Sequence, residues 1–462
     1  MSSVFKNNID KLMCLVEEQE SKSLGDDIVT TIYQNAERIA SSVTTVKDNR
    51  KIKWDEKLDN ILTSRLTGFP IMILLLAGVF WVTIVGSNYP SELLSNMFFK
   101  LEDKITLLFN YFNSPEWLHG ILVLGMFRGL GWVVSVMLPP MAIFFPIFTL
   151  LEDFGYLPRI AFNLDNMFRK SGTHGKQALT MSMGFGCNAA GVIASRIIDS
   201  PRERLIAIIT NNFVPCNGRF PILIAMSMIF IGTFSNKYST VLASLSVVLL
   251  VLIGVYITLL VSKLLSKTVL KGVPSSFTLE LPPYRKPQLG RILVRSLLDR
   301  TLFVLWRAVI VAAPAGAITW LIANTSIGDI SLLNYIANIL DPFGKLLGLD
   351  GFILMAFILG IPANEIVLPI LIMSYMSKGS MLEFDTLDSL KNLLLNNGWT
   401  IITGINFMLF SLLHFPCATT LLTIKKETNS TKWTIFTLLI TTLSAIVVTF
   451  LVSMLGKLFG IS

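Results

Sequence analysis

The sequence predicts an all-α, polytopic helical membrane protein whose two halves are inverted repeats containing broken or re-entrant helices. Three observations carry that prediction. Of the 462 residues, 53% are hydrophobic and only 15% charged, with a mean hydropathy of +0.65, whereas a soluble chain carries about 25% charged residues. Seven apolar stretches reach the roughly twenty residues that a bilayer crossing needs. Two further apolar stretches are interrupted by Gly, Pro and polar residues, and each is followed by a helix carrying Pro-Cys and then by an uninterrupted helix.

Residues 1–65 are polar, with ten Lys/Arg against eleven Asp/Glu, and lack the short apolar core and cleavage site of a signal peptide. They are expected to form an uncleaved cytoplasmic helical arm packed on the membrane part, with apolar residues at helical spacing: Leu12, Leu15 and Val16, then Ile28, Ile32, Ala36 and Ile39. Residues 66–177 hold the first crossings, near 69–86 and 129–151, and a basic loop. The first repeat, 178–265, consists of a broken segment at 178–196 and crossings near 205–233 and 238–262. A basic cytoplasmic linker occupies 266–300. Residues 301–351 hold a crossing near 301–323 and an outer connection. The second repeat, 352–462, consists of a broken segment at 352–376 and crossings near 399–424 and 433–458.

Charge sets the orientation. The loop at 152–177 carries Arg159, Arg169, Lys170 and Lys176, and the loop at 263–300 carries eight further Lys/Arg, so both are expected in the cytoplasm. Three apolar segments lie between them, and an odd number of full crossings cannot join two loops on one side. The segment at 178–196 must therefore enter and return, which leaves Arg196, Arg202 and Arg204 on the basic side. The acidic connections at 324–350 and 378–398 read as outside, so the segment at 352–376 enters and leaves from there, and the turn holding Lys425, Lys426 and Lys432 falls inside. Opposite orientation of two like halves is the pattern of an inverted-repeat transporter.

Polar groups are costly within a bilayer and broken helices are tolerated only against protein or a cavity. In Gly184 to Arg196 the thiol of Cys187 and the amide of Asn188 stand among small residues, where Gly184 and Gly186 are expected to shape the break. Pro215 removes a backbone hydrogen bond beside Cys216, and the carbonyls it releases are expected to face a pore. Pro362 precedes an intramembrane carboxylate, Glu365, for which a buried arginine such as Arg219 or Arg307 is the structural alternative. Pro416 stands between His414 and Cys417. Thiols, an amide, a carboxylate and an imidazole form an intermediate-to-soft donor set suited to Fe²⁺, Zn²⁺ or Cu(I) rather than Mg²⁺ or Ca²⁺. A structural zinc site lacks the paired spacing it would need.

Other classes fit poorly. The net charge of +8 lies in loops beside apolar runs, where lipid headgroups account for it better than nucleic acid does. Four cysteines are too few for a disulfide framework. No phosphate-loop motif, nucleophile elbow or zinc-hydrolase motif occurs, so the chain is expected to be no enzyme and to bind no GTP.

Three stretches resemble the membrane domain of the ferrous iron transport protein B family. They are LEDFGYLPRIAFNLDNMFRKSGTHGK (Leu151 to Lys176) running into GFGCN (Gly184 to Asn188), SPRERL (Ser200 to Leu205), and MLFSLLHFPCATTLLTIKKET (Met408 to Thr428) followed by Lys432-Trp433. The resemblance runs from about residue 28 nearly to the carboxyl end. It implies a multi-pass inner-membrane permease for Fe²⁺ with two inverted gate repeats, whose characteristic cysteines match Cys187, Cys216 and Cys417; with Asn188 and Glu365 these are the expected metal-pathway residues. Three departures stand beside it. The family's amino-terminal GTP-binding domain has no counterpart in this sequence, so a separate cytoplasmic small GTPase is the expected partner. Ala189-Ala190 replaces the usual Val-Pro after Cys-Asn, and Ala363-Asn364-Glu365 replaces Ala-Lys-Glu, removing a buried cation. A homo-oligomer is compatible with the sequence. The alternatives are a transporter of an organic solute such as a nucleoside, using Asn188, Asn364 and Glu365, and a non-transporting membrane scaffold or sensor.

Overall fold

The computed structural model describes residues 28–460 apart from 29–30, 44–48, 65, 174, 217, 233–238, 328–329, 377–386, 459 and most of 273–300. Cys14, the expected pattern at Leu12, Leu15 and Val16, and most of the basic linker lie outside the described residues. The described residues are predominantly helical, joined by turns and irregular breaks, with one two-residue ladder in which Ser326–Ile327 pairs antiparallel with Ile330–Ser331.

The arm comprises α1 (31–43) and α2 (Asn49–Leu62). Next come two long antiparallel helices, α3 (Gly68–Tyr111) and α4 (Glu116–Asp153). At 1.5 Å per residue, the 44 residues of α3 extend about 66 Å, twice the hydrocarbon thickness, so the crossing expected at 69–86 is only its first half. A π-helical stretch at Gly120–Phe127 lies within α4 and packs on α11 (Phe303–Asn324). Small residues set that approach: a Cβ on Gly316 would stand 2.2 Å from the Gly125 carbonyl oxygen. Helices approach closely in lipid where such residues face each other.

Between these helices the same construction occurs twice. In the first half, α6 (Lys176–Gly186) breaks into α7 (Asn188–Ala194), α8 (Pro201–Thr210) breaks into α9 (Phe220–Ile231), and α10 (Ser239–Lys267) runs uninterrupted. In the second half, α13 (Gly351–Leu359) breaks into α14 (Val367–Tyr375), α16 (Ile401–Leu413) breaks into α17 (Ala418–Thr428), and α18 (Thr431–Leu458) runs uninterrupted. The segments expected near 205–233 and 399–424 are each interrupted at their Pro-Cys, where Pro215 and Pro416 stand. Between the halves, α5 (Tyr156–Lys170) precedes the first, and α12 (Leu332–Leu346) meets α13 at a bend of 111°. Among the described residues five helical segments are long and apolar enough to cross a membrane, with α16 and α17 taken together as one of them, or six if the bent pair counts as one.

Both broken segments return to the end they started from. Lys176, opening α6, bonds Asp199 beyond α7 at 2.6 Å, while Asp350, capping α13, accepts a hydrogen bond from Tyr375 at the end of α14. The hairpins open at opposite ends of the bundle. Arg196 beside the first makes a bidentate pair with Glu427 at the end of α17, at 2.7 Å for each contact, whereas Tyr375 beside the second receives the indole N–H of Trp399 just before α16 at 2.8 Å. The expected re-entrant, inverted arrangement is therefore built into the contacts. The two hairpins meet in a core of Phe144, Phe145, Phe213, Phe357 and Phe407, while the outer helices leave Leu74, Trp81, Leu249 and Leu439 exposed, as lipid-facing surfaces are.

Candidate functional site

Each expected donor sits at a helix break, and the breaks are local consequences of the sequence. At Cys187 the backbone is extended (φ −156°, ψ 127°) and the N–H groups of Ala189 and Ala190 face its sulfur at the start of α7. The break forms without the proline usual in the family. With the Asn188 amide turned so that its nitrogen faces acceptors, it donates to the carbonyls of Gly184 (3.1 Å) and Val214 (3.2 Å) and fastens the first hairpin to the next break. Gly184 lies in the last turn of α6, and Gly186 is its final residue, directly before the break at Cys187. A Cβ on Gly184 would strike the Asn211 side chain at 2.7 Å, and one on Gly186 would strike Phe144 at 2.6 Å. They serve close packing, and the Asn211 amide held against Gly184 and Gly191 donates to the Asn188 carbonyl at 3.0 Å.

Pro215 and Cys216 lie in the irregular stretch between α8 and α9, and Pro416 and Cys417 in that between α16 and α17. The carbonyls freed there were expected to face a pore. Four carbonyls at the two breaks are instead taken by Arg219, which is fully buried. Its Nη1 donates to the carbonyls of Asn212 (3.1 Å) and Leu412 (2.8 Å), and its Nη2 to those of His414 and Phe415 (3.1 Å each). One guanidinium thus caps the C-terminal carbonyls of helices from both halves, where a positive charge also complements the helix dipole. The charge on this residue within PCNGRFP, an arginine between two prolines in an apolar run, was the sequence signal for that role.

Pro362 lies in the turn between α13 and Asn364–Ile366, and Ala363 repeats the extended backbone of Cys187 (φ −151°, ψ 121°). The Ile361 carbonyl accepts from the Ala418 N–H at 2.7 Å, fastening this hairpin to the second Pro-Cys break. Glu365 is 8% exposed and its carboxylate lies against the Cα of Gly218, where a Cβ would stand 2.0 Å from Oε1. It accepts from its own backbone N–H and lies within electrostatic reach of Arg219, the structural alternative named above; the Arg307 side chain lies outside the described residues. The Trp132 indole lies 3.4 Å from the Glu365 carbonyl oxygen. His414 presents Nδ1 to the carbonyls of Phe410 (3.0 Å) and Ser411 (2.9 Å), among Phe357, Phe410 and Phe415, which leaves Nε2 buried and unpaired.

Cys187, Cys216 and Cys417 converge: each is within electrostatic reach of the other two, and Cys216 and Cys417 are within reach of Glu365 and Arg219. All three thiols are free. Among the described residues no group of three His, Cys, Asp or Glu side chains is close enough to hold one metal ion. Two of the breaks lie against α4: the Trp132 indole reaches the Glu365 carbonyl and Phe144 packs against Gly186 beside Cys187, two α4 residues separated by roughly 18 Å of helix rise.

On the cytoplasmic side of the expected topology, Arg159 is 1% exposed and fastens the arm to the bundle. Its Nε and Nη2 donate to the Asp59 carboxylate (2.9 and 3.2 Å), its Nη1 to the Gly155 carbonyl, and its guanidinium stacks 4.1 Å over the Tyr284 ring. The Tyr284 hydroxyl donates to the same carboxylate at 2.7 Å.

Comparison with known proteins gives two family matches. The model described as "Gate: Nucleoside recognition" matches residues 134–230 and 305–431, and the one described as "Ferrous iron transport protein B C terminus" matches 247–299. The chain is similar to the Fe(2+) transporter FeoB of Staphylococcus aureus (strain MSSA476), 28% identical over 470 residues that cover 99% of this chain and 68% of that protein. It is similar also to the Fe(2+) transporter FeoB of Methanocaldococcus jannaschii, 27% identical over 98% of this chain and 66% of the relative. A Porphyromonas gingivalis protein named Fe(2+) transport protein A/Fe(2+) transporter FeoB fusion protein is 26% identical over 87% of this chain and 52% of its own length. No solved structure matches.

Proposed function

The chain belongs to the ferrous iron transport protein B family, whose membrane part it matches, and on that premise we propose that it is a permease for Fe²⁺ or a similar divalent transition metal. The observation that carries the reading is the convergence of Cys187, Cys216 and Cys417, the last two within electrostatic reach of Glu365, at breaks in two hairpins that enter from opposite ends. An incomplete site suits passage, because an ion must bind firmly enough to enter and weakly enough to leave. Thiols and one carboxylate favour an intermediate ion over Mg²⁺ or Ca²⁺. Asn188, with its nitrogen committed to carbonyls, has its oxygen left for the ion. Pro215, Pro362 and Pro416 keep the breaks open, while Gly184 and Gly186 let the first hairpin pack closely.

The multi-pass chain has its amino terminus in the cytoplasm, the side on which its basic loops fall. It moves an ion and leaves GTP hydrolysis to a cytoplasmic GTP-binding partner. The arm is suited to that partner: it is fixed through Asp59 and exposes Ile32, Ile39, Val43 and Trp54. Fe²⁺ is the substrate.

The test is anaerobic uptake into proteoliposomes of the purified chain, with Fe²⁺ set against Mg²⁺ and uridine and with the Cys187→Ala, Cys216→Ala, Cys417→Ala variant in parallel. Iron-selective uptake lost in the variant is expected. Uridine uptake that survives it would establish the organic-solute reading, and no flux of either solute in folded protein would mean a missing partner subunit or a scaffold, which adding candidate GTPases separates.

A further inference from the structure

The two hairpins are alike in backbone but differ in one hydrogen bond. Gly184 to Asn188 corresponds to Gly360 to Asn364, with the same extended residue before each asparagine, and Val214-Pro215-Cys216 corresponds to Phe415-Pro416-Cys417. In the first half the Asn188 amide donates to the Val214 carbonyl. The counterpart acceptor for Asn364 is the Phe415 carbonyl, which Arg219 occupies at 3.1 Å. Asn364 is 3% exposed, and neither its Nδ2 nor its Oδ1 has a partner. Arg219 has an unpaired Nε, lies within electrostatic reach of Glu365 and yet forms no salt bridge with it. The position corresponding to Arg219 in the second half is Thr420, so only one such cation serves both breaks.

A buried amide with both ends unmade, whose counterpart acceptor in the other half's pattern is held by a cation, describes one of two arrangements of a switch. We propose that Arg219 is the positioning residue that returns the empty carrier: when Fe²⁺ leaves, its guanidinium turns from the Phe415 carbonyl to the Glu365 carboxylate, and Asn364 takes the carbonyl it vacates. The arrangement in this structure is the one that leaves Glu365 open to a cation. In the other, Arg219 replaces the departed charge, so the buried carboxylate is never left without a counter-ion. Both arrangements keep one donor on Phe415, and neither requires a covalent step. This inference rests on the transport reading above.

Reset is needed for net flux but not for exchange, since an exchanging carrier never crosses empty. The full chain in proteoliposomes is therefore assayed anaerobically in two modes, net Fe²⁺ uptake into metal-free vesicles and exchange of labelled for unlabelled Fe²⁺. Arg219→Gln keeps two N–H donors for the break while removing the charge. Asn364→Ala removes an amide that bonds nothing here and so leaves this arrangement intact. Both are expected to lower net uptake about tenfold or more, the scale of one charge-assisted bond, with exchange close to that of the wild type. Arg219→Lys is expected to restore most of the net uptake. An equal fall in both modes in Asn364→Ala, no fall in either variant, or a wild type with net uptake and no exchange would overturn the proposal. A wild type that moves Fe²⁺ in neither mode contradicts the transport reading itself.

Discussion

Asp59 fixes the arm through a carboxylate whose ionisation is protected. Burial alone would raise it, but hydrogen bonds from Arg159 and Tyr284 together with the Arg159 charge outweigh burial and hold it below its ordinary 3.8. Such a group contributes stability that is present above the unfolded value and lost as pH falls through the lower folded one. Tyr284 is pushed up to about 12, first by burial and then by its bond to Asp59, so its contribution is full below its ordinary 10.0 and lost as pH rises through about 12. Docking of α2 should therefore be constant between about pH 5 and pH 9. Asp59→Asn is expected to weaken it by about 1–3 kcal/mol, read as faster amide exchange confined to Asn49–Leu62; unchanged exchange there would contradict this role. Gly218 is the corresponding point in the pathway. Gly218→Ala places a methyl where the Glu365 carboxylate lies and is expected to abolish most Fe²⁺ uptake at a cost in stability of about 1–3 kcal/mol. Flux equal to the wild type would show that the carboxylate position does not matter.

Among the elements, the uninterrupted helices were legible from hydropathy and the broken ones from Gly, Pro and polar residues inside apolar runs. The two hairpins were legible only through charge, because an odd number of segments separates two basic loops. At 205–233 and 399–424 hydropathy alone shows one continuous apolar run, and Pro215 and Pro416 are what signal that the helix within it is not continuous. Pro215 and Pro416 stop the hydrogen bonding, and Arg219 supplies donors to the carbonyls left over. Its partners are about 195 residues away along the chain, which no local pattern reports. The full length of α3 was hidden for the opposite reason, since its second half is polar enough to read as a loop. Packing between α4 and α11 depends on Gly125 and Gly316. Gly316→Leu is expected to lower the thermal midpoint, costing about 1–3 kcal/mol by overpacking. Gly78→Leu, a position with open space around it, should leave the midpoint nearly unchanged, and equal effects at the two positions would refute the role assigned to this contact.

At the scale of the whole molecule, two hairpins from opposite ends bring breaks carrying Cys187, Cys216, Cys417 and Glu365 alongside one long helix. The identities of these residues were legible as polar atoms in apolar surroundings; their convergence was not, because it depends on how the halves pack. Nor did the sequence reveal that Asn364 would remain unbonded while its counterpart Asn188 is satisfied, a difference that arises from the single arginine shared by both breaks. The central claim is that Fe²⁺ passes through sulfur and carboxylate ligands from both halves. X-ray absorption at the iron edge of the anaerobic, Fe²⁺-loaded chain tests it most directly. Sulfur scatterers at about 2.3 Å, the usual metal–thiolate distance, accompanied by oxygen and lost in the triple cysteine variant, are predicted. An iron environment of oxygen alone, unchanged when the three cysteines are removed, would contradict it.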